Sequence, residues 1–125
     1  MPDYAIKEFT VPVPEGGSVL YTAAIVKENG DVLQPEEVVS ASITLEDAAT
    51  QAIINDRDNQ SFFNVNGGAF YADRFEVRLG PLDTVAVGTA RIQKRWMTLK
   101  VAYTGGGMLH RLIVFYVQEL RRVGA

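Results

Sequence analysis

The sequence of 125 residues predicts a single all-β domain, an immunoglobulin-like antiparallel β-sandwich of about seven or eight strands. Apolar residues recur at every second position in several segments, which is the period of a half-buried strand. Turn-forming glycine and asparagine separate these segments at spacings of about ten residues, as in all-β sandwiches and barrels. No segment keeps a helical period beyond about two turns. Hydrophobic residues make up 47% of the chain, enough for a core of its own.

The first residues of the chain are rich in proline, with Pro2, Pro12 and Pro14. Proline cannot donate a backbone hydrogen bond, so within sheets it is confined to edges, strand ends and bulges. We therefore expect residues 1–17 to form an extended N-terminal arm or an edge strand. Residues 18–125 are expected to form the sandwich.

Two segments, residues 18–27 and 111–120, are apolar on both faces. In the first, one face carries Val19, Tyr21, Ala23 and Ile25, and the other carries Leu20, Ala24 and Val26. In the second, the two faces carry Ile113, Phe115 and Val117, and Leu112, Val114 and Tyr116. Such a strand is central in a covered sheet or lies at an interface. Because one small domain rarely covers both faces of a sheet, we expect a subunit contact, with a loop folded across the sheet as the alternative.

Three further segments, residues 38–47, 74–79 and 95–104, alternate between apolar and polar residues. This alternation predicts strands with one buried face. The residues expected to face the core are Val39, Ala41, Ile43 and Leu45 in the first segment, Phe75, Val77 and Leu79 in the second, and Met97, Leu99, Val101 and Tyr103 in the third.

Four glycine-containing motifs divide the strands. Residues 29–31 (Asn-Gly-Asp) and 66–68 (Asn-Gly-Gly) predict chain reversals, because glycine and asparagine tolerate the left-handed backbone that tight turns need. Residues 105–107 (Gly-Gly-Gly) predict a hairpin between the last two strands. Residues 80–81 (Gly-Pro) predict the end of the strand before them.

Charge is distributed unevenly along the chain. The net charge is −3, but residues 1–90 carry −9 and residues 91–125 carry +6. A protomer with one acidic and one basic face can associate head-to-tail with copies of itself, which is how rings form. Interleaving of early and late strands would instead cancel this polarity in space.

The residue types present exclude several kinds of chemistry. The chain has no cysteine, which removes disulfides, zinc ribbons, iron–sulfur sites and thiol nucleophiles, and it has one histidine, His110. The polar residues 55–60 depart from the calcium-loop pattern at three positions, so a polar turn is favoured. No nucleophile–base pair can be assembled around His110. We therefore predict that the protein is not an enzyme and holds no cofactor or metal. No apolar run approaches the roughly 20 residues that a membrane-spanning helix needs.

Trp96 stands on the polar side of its strand, between Arg95 and Met97. With Lys94 and other nearby basic residues it suits a stacking surface for single-stranded nucleic acid. It equally suits an interface anchor, because tryptophan and arginine are enriched at binding hot spots, or a cover over the edge of its own core. The last two interpretations rank above nucleic acid because the chain as a whole is acidic.

The order of motifs carries a resemblance. An Asn-Gly-Asp turn precedes an alternating strand that ends in Leu-Glu-Asp, followed by residues 53–60 (Ile-Ile-Asn-Asp-Arg-Asp-Asn-Gln), residues 64–68 (Asn-Val-Asn-Gly-Gly) and residues 79–84 (Leu-Gly-Pro-Leu-Asp-Thr). Across residues 18–120 this order resembles small immunoglobulin-like virion proteins encoded among the head and tail genes of tailed bacteriophages. It is also similar to the β-sandwich domains that decorate baseplates. The resemblance implies a structural, non-enzymatic protein that is assembled in the host bacterial cytoplasm and located on the virion.

The function expected from these features is oligomerisation on the particle, either as head decoration or cement, or as a collar or ring at the head–tail junction. Its partners would be copies of itself and other virion proteins, such as capsid, portal or connector, and tail proteins, without membrane contact. We expect residues 91–120 to form the main contact surface, and the N-terminal residues 1–15 a second one. The predicted interface residues are the apolar anchors Trp96, Tyr103, Phe115 and Tyr116, and the orienting residues Arg91, Arg95 and Arg111.

The alternative function is a ligand-binding sandwich similar to a carbohydrate-binding module. Such a module needs exposed aromatic side chains on one face, for which Trp96, Tyr71 and Phe70 are the candidates. The size of the protein in solution separates the two functions, since a high-order ring favours the virion protein and a monomer favours the module.

Overall fold

A computed structural model of the chain describes residues 4–24, 26–27, 30–72, 74–87 and 90–120, and of residues 4–7 it describes the backbone alone. These residues form nine strands and one turn of 3-10 helix, Pro35–Glu37. The strands are β1 (Tyr4–Glu8), β2 (Val13–Pro14), β3 (Val19–Ala23), β4 (Val38–Asp47), β5 (Gln60–Ser61), β6 (Gly68–Phe70), β7 (Phe75–Leu79), β8 (Ile92–Tyr103) and β9 (Gly107–Gln118). Within the described residues, no helix is long and apolar enough to span a membrane.

The strands form two sheets. The large sheet has the order β1-β9-β8-β4-β5, with β2 also paired to β9, and the small sheet has the order β3-β7-β6. Strands β3, β7 and β6 thereby take the positions of immunoglobulin strands B, E and D, and β4, β8 and β9 those of C, F and G. The predicted immunoglobulin-like sandwich is confirmed. Pairing is antiparallel except that β1 and β2 run parallel to β9, so the described part of the proline-rich segment, residues 4–14, lies along an edge of the large sheet.

The core lies between the sheets and follows the predicted alternation. In β4, β7, β8 and β9 every second residue faces inward, which removes one apolar face of each strand from water. The buried residues of these strands include Ile43, Leu45, Phe75, Val77, Leu79, Met97, Leu99, Val101, Ile113, Phe115 and Val117. Phe62, Phe70 and Phe75 pack with one another in this core, at pairwise ring-centroid distances of 5.4 to 6.3 Å.

One predicted core residue is wrong. Val39 was expected to face inward, but its exposed fraction is 67%. A β-bulge between Val38 and Ser40 shifts the register of β4 against β8 at this point. A bulge inserts one unpaired residue into the strand and re-aims the side chains around it, so the simple alternation begins only at Ala41.

The two strands predicted to be apolar on both faces have different places. β9 is central, with β8 on one side and β1 and β2 on the other, and Val114 on its outer face is only 6% exposed. β3 is instead an edge strand of the small sheet, with Leu20 40% exposed, so the central alternative does not hold for this strand, and the interface alternative stays a prediction. Ile25 of that segment lies outside the described residues.

The turn motifs lie where they were predicted. Gly105 and Gly106 have φ values of 94° and 88° and form the hairpin between β8 and β9. Gly67 has φ 90°, and a Cβ there would collide with the carbonyl oxygen of Arg78, so the turn before β6 needs glycine. Gly30 also has a positive φ in a reversal closed by a hydrogen bond from the Lys27 amide to Asp31, while Asn29 lies outside the described residues.

Candidate interaction surface

The outer face of the large sheet is the surface that faces away from the small sheet. Its side chains belong to β4, β8 and β9 and alternate with the core residues of those strands. In the pairing register, Trp96 lies opposite Val114, and Thr98 lies opposite Leu112. The outer-face residues are Ser42, Thr44, Glu46, Lys94, Trp96, Thr98, Lys100, His110, Leu112, Val114 and Tyr116.

An open groove of about 490 Å³ lies on this face. It is lined by Trp96, Thr98, His110, Arg111 and Leu112, and we call it the Trp96 groove. It lies on the two longest strands of the sheet, which pair with each other over twelve residues and give it a rigid floor. The groove is therefore a preformed, largely apolar concavity with hydroxyl and imidazole groups at its wall.

Charged side chains surround the Trp96 groove. Lys94 and Lys100 are exposed on β8, while Glu46 of β4 lies opposite Trp96 in the register. At the β1 side, the hydroxyl of Tyr116 donates a hydrogen bond to the carboxylate of Glu8. That hydrogen bond raises the pKa of Tyr116. The face thus has an apolar centre and a polar rim, the usual anatomy of a protein contact surface.

Arg95 is not on this surface, and its predicted role as an orienting residue there is wrong. Its side chain is 0% exposed and faces inward, with the same strand parity as Met97 and Leu99. Its guanidinium lies 2.6 Å from the carboxylate of Asp47 and also donates to the carbonyl oxygen of Val85 at 2.7 Å. Burial lowers the pKa of Arg95, and the charge of Asp47 opposes that effect.

Phe115 is also in the core, so its predicted role as an exposed anchor is wrong. It is fully buried on the inner face of β9, and its ring centroid lies 5.6 Å from that of Tyr21. Tyr103 is partly buried and packs against the same core at the far end of β8. Strand alternation in residues 111–120 already separated Phe115 from Tyr116, and only Tyr116 is on the outer face.

The two remaining predicted arginines lie at opposite ends of the sheet. Arg91 is exposed immediately before β8. Arg111 is half-buried, and its guanidinium donates to the carbonyl oxygen of His110 at 2.9 Å and to that of Val26 at 3.4 Å. Burial lowers the pKa of Arg111. Of the seven predicted interface residues, the structure brings Trp96 and Arg111 together in the Trp96 groove and places Tyr116 on the outer face.

The charge polarity of the sequence is reduced in space. Of the basic residues after position 90, Arg95 is neutralised internally by Asp47 and Arg111 is half-buried. Within the described residues, the exposed basic side chains of this segment are Arg91, Lys94 and Lys100, all within or beside β8. Arg121 and Arg122 lie outside the described residues.

The polar residues 55–60 form a structural cluster that sequence reasoning did not pair with its partner. Arg57 is buried and binds both carboxylate oxygens of Asp83, at 2.5 and 3.0 Å. Burial favours the neutral form of Asp83, but hydrogen bonds from Arg57, the Asn55 amide and the Gly80 backbone outweigh it and lower the pKa. Asp83 is 26 positions from Arg57, so no local motif reveals the pair. In the described part of the chain, no group of three or more acidic or histidine side chains could hold a metal ion.

The three aromatic residues predicted for a ligand platform do not share a face. Phe70 is buried in the core beside Phe62 and Phe75. Tyr71 is 43% exposed, but it follows β6 of the small sheet, where the guanidinium of Arg74 lies 4.3 Å from its ring centroid. Trp96 alone of the three is on the outer face of the large sheet, so the expected platform is not formed.

No protein-family model matches this chain, and no curated protein matches it. The class of this protein is therefore given by its fold and by the geometry of its outer face. It is an immunoglobulin-like β-sandwich with an apolar groove on the outer face of its large sheet and, among the described residues, two buried ion pairs.

Proposed function

We propose that this chain is a non-enzymatic structural protein of a tailed-bacteriophage particle that assembles through the outer face of its large sheet. Its partners are copies of itself and other virion proteins. The observation that carries the proposal is the Trp96 groove, because its lining includes Trp96 and Arg111, and tryptophan and arginine are enriched at interface hot spots. The order of turn and strand motifs supports the virion setting.

The chemistry of the outer face supports assembly with an acidic or mixed-charge partner surface. Trp96, Leu112 and Val114 supply the apolar centre, and Lys94 and Lys100 are exposed near it. Exposed charges at a rim contribute mainly to the rate and specificity of association, and they are screened by salt. Each contact can be weak, since many copies held by the symmetry of a particle act together.

The experiment that tests this proposal is the solution mass of the purified protein, measured by light scattering on a sizing column at two salt concentrations. We expect a defined oligomer whose mass falls at high salt. The variant Leu112→Asp places a charge in the Trp96 groove and is expected to dissociate the oligomer. Val65→Asp makes the same kind of change at an exposed loop position on another part of the molecule and serves as the matched control.

Two results would contradict the assembly surface. One is a wild-type protein that stays monomeric at every concentration and salt. The other is a folded Leu112→Asp variant that assembles as the wild type does. Near-ultraviolet circular dichroism establishes that both variants remain folded.

A second function, binding of a carbohydrate, is favoured by the same groove. Its volume lies within the range of about 300–1,000 Å³ typical of small-molecule sites, and Thr98 and His110 offer hydrogen-bonding groups beside the indole of Trp96. Trp96 is the single tryptophan of the chain, so its fluorescence reports on the groove directly. Saturable quenching by a glycan in a monomeric protein would favour the module, whereas a blue shift on concentration alone would favour assembly.

A further inference from the structure

We propose that residues 4–15, the β1–β2 segment, exchange between copies, so that the segment of one copy pairs with β9 of the next. The register would be the one seen within a single chain. This inference rests on the proposed self-assembly and adds its mechanism. The partner is a second copy of this chain, and the partner copy completes the large sheet.

The β1–β2 segment pairs with backbone groups of β9, and a second copy of the chain presents the same groups. The segment forms a parallel ladder in which Glu8 lies opposite Val114 and Val13 lies opposite Val117. The amide of Phe9 also donates to the carbonyl oxygen of Val114 at 2.8 Å. The receiving groups are presented along the edge of β9, and a neighbouring β9 presents the same groups in the same order. Exchange of an identical element is a low-cost route to association for this reason.

The side chains of the segment make specific contacts with the rest of the sandwich. Phe9 packs against Tyr21 in a tilted arrangement with a centroid distance of 4.7 Å, and Val13 is buried. The carboxylate of Glu8 accepts the hydrogen bond from Tyr116, and Glu15 accepts one from the amide of Leu120 at 2.6 Å. Two acidic side chains of the segment therefore accept hydrogen bonds from β9 and from the residues that follow it. These contacts specify the register in either a closed or an exchanged form.

The connection to β3 is built as a hinge. Gly16 has φ 73°, and a Cβ at Gly17 would lie 2.9 Å from the carbonyl oxygen of Pro14, so the closed turn requires glycine. Thr84 anchors this turn to the rest of the sandwich, because its hydroxyl donates a hydrogen bond to the carbonyl oxygen of Gly17 at 2.8 Å. Two glycines can also adopt an extended link at little steric cost. Pro14, together with Pro12, restricts the segment itself to extended conformations, so it can leave as a preformed strand.

The segment covers the small sheet without filling the space against it. A groove of about 610 Å³ lies between residues 8–14 and residues 18–21, at the start of β3. Val11 is strongly exposed above it. The strand pairing of the segment is thus with β9, and its ring contact with β3, Phe9 against Tyr21, is one that a second copy offers in the same place.

The concentration of neighbours decides between the two forms. Closed and exchanged forms keep the same strand contacts, so they differ mainly in the hinge conformation and in the entropy of association. Copies held side by side on a particle experience an effective concentration that reaches the millimolar range. Assembly on a lattice therefore favours exchange, while dilute protein favours the closed form.

Introduced cysteines test the exchange, because the chain has none of its own. The variants Glu8→Cys and Val114→Cys place thiols at opposing register positions. The two single variants are mixed, refolded together at millimolar concentration and oxidised, and we expect a covalent dimer that contains one copy of each. Glu8→Cys mixed with Ser42→Cys is the matched control, because Ser42 is on the same outer face but on β4, and it is expected to give no such dimer.

Two further samples make a negative result decisive. The double variant with both cysteines in one chain, oxidised when dilute, is expected to form the intramolecular disulfide and shows that the geometry permits it. Deletion of Gly16 and Gly17 prevents the segment from folding back and is expected to drive exchange even in dilute protein. An intramolecular disulfide without mixed dimers, in both the full-length and the hinge-deleted protein, overturns the exchange. If instead light scattering shows a wild-type monomer while the hinge-deleted variant forms mixed dimers, self-assembly of the natural protein fails and the exchange geometry stands.

Discussion

The guanidinium of Arg95 and the carboxylate of Asp47 form an ion pair of 2.6 Å inside the sandwich. The two residues are opposite each other in the β4–β8 ladder, at the end of β4 and near the start of β8. Gln93 accepts a second hydrogen bond from the same guanidinium at 2.9 Å and in turn accepts one from the amide of Val87. The pair therefore ties the loop before β8 to the large sheet and removes one positive charge from the surface.

Loss of one partner of this pair is expected to destabilise the fold strongly. Arg95→Met leaves the Asp47 carboxylate buried without its counter-charge and should lower the free energy of unfolding by about 3–5 kcal/mol. Urea unfolding measures this change. Arg78→Met, an exposed site on β7, is the control and should change it by less than about 0.5 kcal/mol. A similar small effect in both variants would show that the internal pair does not stabilise the fold.

The two faces of β9 should respond differently to substitution. Phe115→Ala empties a fully buried position and is expected to lower the free energy of unfolding by about 3–5 kcal/mol. Leu112→Ala, on the outer face, is expected to leave stability nearly unchanged and to weaken self-association. Unfolding and solution mass are measured on both variants. Equal effects of the two substitutions on stability would contradict the assignment of faces.

The Arg57–Asp83 pair predicts a loss of stability in acid. The pKa of Asp83 is lowered in the folded protein, so its contribution is fully present above the unfolded-state value of about 3.9. It is lost as the pH falls through the lower folded-state pKa. We expect Asp83→Asn to be less stable than the wild type at pH 7, with a difference that shrinks below about pH 4. A constant difference across pH 7 to 2, measured by thermal unfolding, would contradict this linkage.

Tyr21 should control stability in alkali. Burial raises its pKa to about 12, so the neutral phenol is favoured in the folded protein. The corresponding stabilisation is present below the unfolded-state pKa of about 10 and is lost as the pH rises through 12. Tyr21→Phe is therefore expected to shift alkaline unfolding to higher pH and to remove the last-titrating tyrosinate from absorbance at 295 nm. Tyr71→Phe, at an exposed position, should leave both measurements near wild type.

Gly67 should tolerate a side chain less well than Gly105. Both have positive φ, 90° and 94°, so alanine carries a similar backbone penalty of roughly 1–2 kcal/mol at each. A Cβ at Gly67 would also collide with the Arg78 carbonyl oxygen, whereas nothing lies within 4 Å of one at Gly105. We expect Gly67→Ala to be the more destabilising substitution in urea unfolding. Equal losses would show that the backbone conformation alone requires glycine at Gly67.

Local sequence pattern predicted the strand faces well where a strand is regular. The alternation in β7 and β8 placed Phe75 and Met97 in the core, because successive side chains of a strand point to opposite sides whatever its partners are. In β9 both faces are apolar, so the pattern did not show which face is the core. The exposed position of Val39 could not be predicted from the alternation, because a β-bulge depends on how two strands pair. The edge position of β3 could not be predicted from the alternation either, since strand order is a property of the whole sheet.

The interaction surface was predicted in part for the same reasons. Trp96 and Tyr116 fall on the outer face by parity, and the structure places them there. Arg95 shares the inward parity of Met97, but its charge argued for the surface. It can remain buried only because Asp47 supplies a counter-charge from 48 positions earlier, a partner that no local pattern identifies.

Taken by itself, the sequence determined the fold class, the main turns and the inward or outward direction of most strand residues. These depend on the period of a strand and on the torsions that glycine allows, both of which act over a few neighbouring residues. The tertiary structure decided which strands are edges, which charges are internal and where the Trp96 groove opens. These features arise from contacts between residues far apart in the chain, such as Arg57 with Asp83 and β1 with β9, and exist only once the two sheets have closed on their shared core.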